Sequence, residues 1–368
     1  MHTQGADFFP ETHFLQRGST DLKIGVAPPG FLQVLQRDFK AENHWQWQPP
    51  TGARFSGRRR VLASWMTDAE HGAGHLLARV IVNRLWQQHF GEGLVRSSNN
   101  FGFTGDRPTH PELLDWLATE LIDHNWSLKH IHRLILTSAT WQQSSLHPQQ
   151  DAWVQKDSAN RFLWRANRRR LEAEAVRDGF LAASGELDLR IGGPGFFPTI
   201  SAEALEGLSR KAAAWTASPE SEQLRRSLYI FTQRSLLPPM LTAFDLCDTT
   251  LPCGQRDVTI VAPQALTLLN NEFIHHRAES LAKRISERIS EGQPDVANGQ
   301  IDAVWRSILN RPPSEGEMLM GAEHIARQSE RFQLPESENS KRTLSPHELA
   351  LASLCLVLFN SSEFIYVD

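Results

Sequence analysis

The chain has 368 residues, 40 % of them hydrophobic, enough for one large core or two ordinary ones and too many for disorder throughout. Its 38 basic and 42 acidic residues leave a formal net charge of −4, without the basic surplus of a dedicated nucleic-acid binder. Three cysteines and no Cys-x-x-Cys-His exclude a disulfide framework and a covalent c-type haem on this chain.

Residues 1–60 read as a loop-rich N-terminal segment, punctuated by Pro28-Pro29-Gly30 and Pro49-Pro50-Thr51-Gly52, with a short strand ending at Gly18. The first residues have neither a charged n-region nor an apolar h-region, and no apolar run approaches the roughly 18 residues that span a bilayer. Taken alone, the sequence predicts a soluble, unexported chain with no membrane insertion.

Helical structure is predicted to begin near Val61. Leu77, Val80, Ile81 and Leu85 recur at helical spacing up to Phe90, and Gly91 supplies the stop. Thr109-His110-Pro111-Glu112 has the capping-box pattern, followed by the stripe Leu113, Leu114, Leu117 and Leu121. Another helix starts at Ser127, and one runs from Arg169 to Ser184, ending at Gly185. Gly192-Gly193-Pro194-Gly195 is read as a tight turn, since it matches neither a dinucleotide fingerprint nor a phosphate loop. Residues 227–233 are the best strand candidate of the second half. A long helix is predicted from Pro263 to Ile289, then helices at 301–309, 315–332 and 346–359, two of them opened by capping boxes at Ser314 and Ser345. The fold class expected is mainly α, a multi-helix bundle-like domain over 61–368 with long loops and minor β near the N-terminus and around 227–233. Two lobes, 61–190 and 225–368, are envisaged within it. Trp86, Trp116, Trp141 and Trp305 lie in helical patterns and are expected in the core. Cys355 is expected there too, and Cys247 and Cys253 are near enough to pair if their loop bends.

Histidines are dense between His71 and His132. His71 and His75 have the i, i+4 spacing that puts two imidazoles on one helical face for a metal, although Gly72 and Gly74 disfavour a helix there. His130 and His132 are further candidate ligands. His110, Glu112 and Asp115 share a predicted helix N-terminus suited to acid–base chemistry, and Asn83 and Arg84 are candidates for the same cleft. Trp45 and Trp47 alternate, so an extended backbone would turn both to one face, where they could stack on a ligand.

Ala78-Arg79-Val80-Ile81-Val82-Asn83-Arg84-Leu85-Trp86, His89-Phe90-Gly91, Asn99-Asn100-Phe101-Gly102, Thr109-His110-Pro111-Glu112-Leu113-Leu114-Asp115-Trp116-Leu117, Arg169-Arg170-Leu171-Glu172-Ala173-Glu174, Pro263-Gln264-Ala265-Leu266 and the closing Phe359-Asn360-Ser361-Ser362-Glu363-Phe364 together resemble a planctomycete-specific C-terminal domain of unknown function, domain of unknown function 1553. The resemblance extends from about Phe14 to Asp368. Gly72-Ala73-Gly74-His75 departs from the family pattern, which weakens a site built on His71 and His75. The family implies a place in a large exported protein, beside a cytochrome-c-like domain and a second planctomycete-specific domain, so this chain is read as a possible fragment. Haem is then expected only on a separate or missing domain, with no cofactor in this chain. The family brings no catalytic residues to carry over. The function expected is a non-catalytic binding or assembly module of an extracytoplasmic, cytochrome-associated protein. The alternatives are an extracytoplasmic enzyme acting on polysaccharide-type material and a His-rich metal-binding protein.

Overall fold

Apolar side chains at helical spacing dictate most of the architecture. The computed structural model describes residues 12–38, 44–52, 55–200, 205, 215–233, 236–289, 295–333 and 344–367, and divides the chain into two units, 1–167 and 168–368. The described structure is mainly helical, with two two-stranded ladders. None of its helices is long and apolar enough to cross a membrane.

In the first unit, β1 (His13–Leu15) and β2 (Lys23–Val26) form an antiparallel hairpin, with Phe14 opposite Gly25. Its helices are α1 (Arg58–Thr67), α2 (Gly74–Phe90), α3 (Pro111–Asp123), α4 (Leu128–Leu136) and α5 (Gln150–Lys156). Ala78, Val82 and Trp86 of α2 bury against Leu114, Leu117 and Leu121 of α3 and Ile131 and Ile135 of α4. Gly91 closes α2 at φ +88°, a backbone state that side chains with a Cβ resist. A smaller cluster joins Trp45, Trp65 and Ala73 to Phe31, Leu35 and Val61.

Three local expectations fail in this unit, the first at Trp141, which lies in the turn region after α4 and is half-buried rather than in a core helix. Trp116 is 49 % exposed rather than in the core. The buried stripe runs through Leu114, Leu117, Ala118 and Leu121, and at 100° per residue position 116 lies about 200° from Leu114, on the outer face. Nor does Thr109 cap α3. The N-cap is His110, without a side-chain cap bond, because the Thr109 amide and hydroxyl are both directed at the Leu94 carbonyl, at 2.9 and 3.4 Å.

In the second unit, the principal helices are α6 (Ala173–Ser184), α7 (Ala262–Asn270), α8 (Glu272–Arg288), α9 (Val296–Leu309), α10 (Glu315–Gln333) and α11 (Pro346–Phe359). Val176 and Phe180 of α6, Leu281 and Ile285 of α8, Ile301 and Trp305 of α9 and Leu351, Cys355 and Phe359 of α11 share one core. The helix placed in the first lobe by sequence, α6, therefore belongs with 168–368. Phe180, Phe359 and Phe364 form a ring cluster with centroids 5.0–5.2 Å apart. Burial pushes the Cys355 thiol up, as expected of a core thiol that stays neutral.

Three sequence expectations are revised here. Arg169 and Arg170 are not helical but pair with Val367 and Tyr366 in an antiparallel ladder joining the two ends of the unit. The single helix expected over 263–289 is two. Asn271 (φ −81°, ψ 119°) breaks it, and its side chain accepts the Phe273 amide at 3.0 Å to start α8 afresh. Residues 227–233 make no strand. Ser227–Tyr229 is a 3-10 turn followed by isolated bridges from Ile230 to Phe196 and from Gln233 to Leu236. The cause is a buried ion pair upstream. Arg177 donates to the carbonyls of Arg225 and Gln223 just before the run, and Asp178 accepts the Ser227 amide at 2.7 Å, which fixes the entry as a turn and leaves a single bridge to Phe196 in place of a ladder. Burial pushes the Arg177 guanidinium down to about 10, still charged at neutral pH.

The glycine turn at 192–195 is pinned by Arg225, which donates to the carbonyls of Pro194 and Gly192. Gly192 and Gly193 both sit at φ +85°. Cys247 and Cys253 are joined as a disulfide across six residues.

Candidate functional site

The sequence candidates in the first unit separate into residues spent on structure and residues left facing solvent. Asn83, on the buried face of α2, is fully covered. Its amide accepts from the Val95 N–H at 2.8 Å and donates to the Val95 carbonyl at 3.0 Å, clamping the loop that follows α2. A Cβ on Gly93 would lie 2.6 Å from that amide nitrogen, so the loop passes only with glycine there. Arg84, one residue on, is exposed.

Asp115 is tied to Arg79 Nε at 2.7 Å, and Glu112 is exposed in the first turn of α3. His110 is half-buried, with Nδ1 2.9 Å from the Thr109 hydroxyl and its ring edge-on to Phe162 at 5.7 Å. It lines a shallow cleft with Trp86, Phe90, Leu94, Thr109 and Arg161. Asn160 also lines the cleft. It is 3 % exposed and held by the Arg165 carbonyl at 2.7 Å and the Asn167 side chain at 3.0 Å. Neither Glu112 nor Asp115 lines this cleft. The carboxylate that does, Glu92, is bound bidentately by Arg96 at 2.8 and 2.9 Å. Its lining mixes the rings of Trp86 and Phe90 with amide, hydroxyl, imidazole and guanidinium groups around a recess of about 30 Å³, room for about one water molecule.

The two tryptophans singled out by alternation do not share a free face. Trp45 is 4 % exposed, edge-on to Phe31 at 5.2 Å, with its indole N–H on Asp68 Oδ2 at 3.0 Å. Trp47 is half-buried, stacked on Phe55 and lying under Arg60 at 4.7 Å. Burial by itself would raise the Asp68 carboxyl, but the His71 and Glu70 amides and the Trp45 indole outweigh it and hold the group below the usual range.

His71 and His75 are not on one helical face, because α2 begins at Gly74 and His71 lies in the preceding turn. That turn needs its glycines: a Cβ on Gly72 would come 2.4 Å from the Trp65 carbonyl oxygen. His71 stacks on His44 at 4.3 Å, and His75 is exposed. His130 and His132 also part company. His132 Nδ1 meets His89 Nε2 at 2.8 Å, with Trp141 edge-on to His89. His130 instead meets Glu120 at 2.8 Å, with His124 alongside. Glu120 and His124 were not singled out by spacing, although their i, i+4 separation at a helix end was the available signal.

The family described as "PSD1: Protein of unknown function (DUF1553)" matches residues 58–325. The chain belongs to this family. The match opens at the first residue of α1 and ends within α10, so it takes in the α2–α4 core, the cleft and most of the second unit's core. No curated protein and no solved structure matches the chain. Membership in PSD1 thus names a domain of unknown function, and the chemistry rests on the geometry above.

Proposed function

We propose that this PSD1 chain is a non-catalytic binding or assembly module of a larger extracytoplasmic, cytochrome-associated protein, with the cleft beside His110 as its recognition surface. One observation carries the reading: the groups able to do acid–base chemistry near α3 are already committed or dispersed. Asp115 is consumed by Arg79 and Glu92 by Arg96, and Asn83, an amide that could only have oriented a substrate, is consumed by Val95. His110, the remaining candidate in the cleft, has Thr109 rather than a carboxylate on Nδ1. A recess of about 30 Å³ favours contact with one side chain of a partner segment over enclosure of a substrate. The planctomycete-specific and cytochrome context comes from the sequence resemblance and is part of the proposal.

The test is affinity capture from an extracytoplasmic fraction with the parent chain and with an H110A/R161A variant, assayed for c-type haem absorbance and by mass spectrometry. A haem protein retained by the parent and lost with the variant supports the reading. Turnover of a polysaccharide by the purified chain, abolished by His110→Ala, would replace it with the enzymatic one.

A further inference from the structure

Where α3 turns into α4, three metal-ligating side chains meet. Glu120 lies in the last turn of α3, His124 is its C-cap and His130 stands in the first turn of α4. Their ligand atoms all lie within 4.8 Å of one another. Glu120 Oε2 is 2.8 Å from His130 Nε2 and 3.4 Å from His124 Nδ1, and the two imidazoles stack at 3.7 Å with 14° between planes.

We propose that Glu120, His124 and His130 form a binding site for a divalent transition-metal ion, zinc in the first instance, independent of the cleft beside His110. The spacing carries this. Donors about 2.1 Å from a tetrahedral zinc lie about 3.4 Å from each other. The Glu120–His124 separation already has that value. The Glu120–His130 contact has to open by roughly 0.6 Å on this geometry, as the ion replaces the proton now shared between imidazole and carboxylate. Two neutral imidazoles and one carboxylate are an established donor set for zinc, and three protein ligands leave a fourth position for water or a donor from a partner. The side chains of Glu120, His124 and His130 are 26, 48 and 26 % exposed, so the ion has a path in.

The surroundings favour a cation and hold the ligands still. The C-terminal carbonyls of α3 carry partial negative charge, and the Glu120 carbonyl is 2.9 Å from His124 Nδ1. Ligation uses Nδ1, the atom 3.4 Å from Glu120 Oε2, so His124 binds the ion as the tautomer with its proton on Nε2 and gives up any donation from Nδ1 to this carbonyl. The corner is rigid. Asn125 and Trp126 both hold positive φ, at 53° and 59°, the Trp126 amide closes onto the Leu121 carbonyl at 2.7 Å, and Ser127 caps α4. Leu121 and Ile131, next in sequence to two of the ligands, are both fully buried. The backbone is thus set, and binding requires the two near-parallel rings to turn about their side-chain torsions until their in-plane lone pairs meet on one ion.

The experiment uses the full chain without a polyhistidine tag, stripped with chelator and dialysed. Zinc is titrated calorimetrically, and cobalt(II) is added as a visible-absorption probe. One equivalent should bind, with the intense visible bands of tetrahedral rather than octahedral cobalt and a raised melting temperature. His130→Ala and the near-isosteric Glu120→Gln should each weaken zinc at least tenfold, while His132→Ala, in the separate pair with His89, should leave affinity unchanged. Absence of zinc binding at micromolar concentration by folded parent protein overturns the proposal. So does undiminished affinity in folded E120Q and in a folded H124A/H130A variant.

Discussion

At the scale of single residues, what matters most is where each polar group has been spent. Asn83 reads in sequence as a polar residue in an otherwise apolar helix, a natural functional candidate. It is instead the mutual partner of the Val95 amide and carbonyl. Asn83→Ala leaves both buried groups unpaired, at about 1–3 kcal/mol each, and should lower unfolding free energy by about 2–6 kcal/mol in urea titration. A change below half of the lower bound would remove the clamp from the account. Glu317 behaves differently. Arg311 binds its carboxylate at 2.7 and 2.8 Å, and the Ser314 amide adds a third bond at 2.7 Å. These bonds hold the carboxyl far below its ordinary 4.5. A depressed folded-state value means the stabilisation is complete above the ordinary one and fades as pH falls toward the folded one. Between about pH 5 and about pH 2 the parent should therefore lose stability more steeply than Glu317→Gln. Denaturant midpoints across that range decide it, and parallel profiles would contradict the assignment.

At the scale of elements, helix starts and stops were legible where the signal is local. Ser345-Pro346-His347-Glu348 forms the expected capping box, with Glu348 N–H to Ser345 Oγ at 3.2 Å and Ser345 N–H to Glu348 Oε2 at 2.8 Å. Ser314 and Glu317 form a second. Ser345→Ala should cost about 1 kcal/mol, visible as faster amide exchange in the first turn of α11, with other helices unchanged. Uniform acceleration across the unit would mean that the cap acts globally. Signals failed where a distant group competes for the backbone. Thr109 has the letters of a cap, but Leu94 takes its hydrogen bonds. The apolar run at 227–233 looks like a strand, but Asp178 takes the Ser227 amide, the Tyr229 and Ile230 amides close a 3-10 turn, and only the backbone at Phe196 bridges to it. Periodicity over 263–289 continues through Asn271, yet the chain bends there because Asn271 can cap the next helix.

At the scale of the molecule, two bodies each carry a core, one of Ala78, Leu117 and Ile131 and the other of Phe180, Leu281 and Leu351. Leu281 is fully buried, so Leu281→Ala should cost about 2–5 kcal/mol. The loss should appear in the slowest-exchanging amides of 168–368, while those of α2–α4 keep their protection. Equal loss in both sets would mean that the two bodies unfold as one.

The helical class, most helix ends, the burial of Trp86, Trp305 and Cys355 and the two capping boxes followed from sequence alone, because each depends on residues a few positions apart. The unit boundary, the outward face of Trp116, the enclosure of Trp45 and the fate of every candidate site depended on tertiary structure. His71 and His75 have the spacing of a metal pair but no shared helix face, whereas Glu120, His124 and His130 acquire their geometry only when α4 folds back beside the end of α3. Spacing along a chain fixes direction within one element. Convergence between elements is set by the turn that joins them, here two successive residues at positive φ that no periodicity encodes.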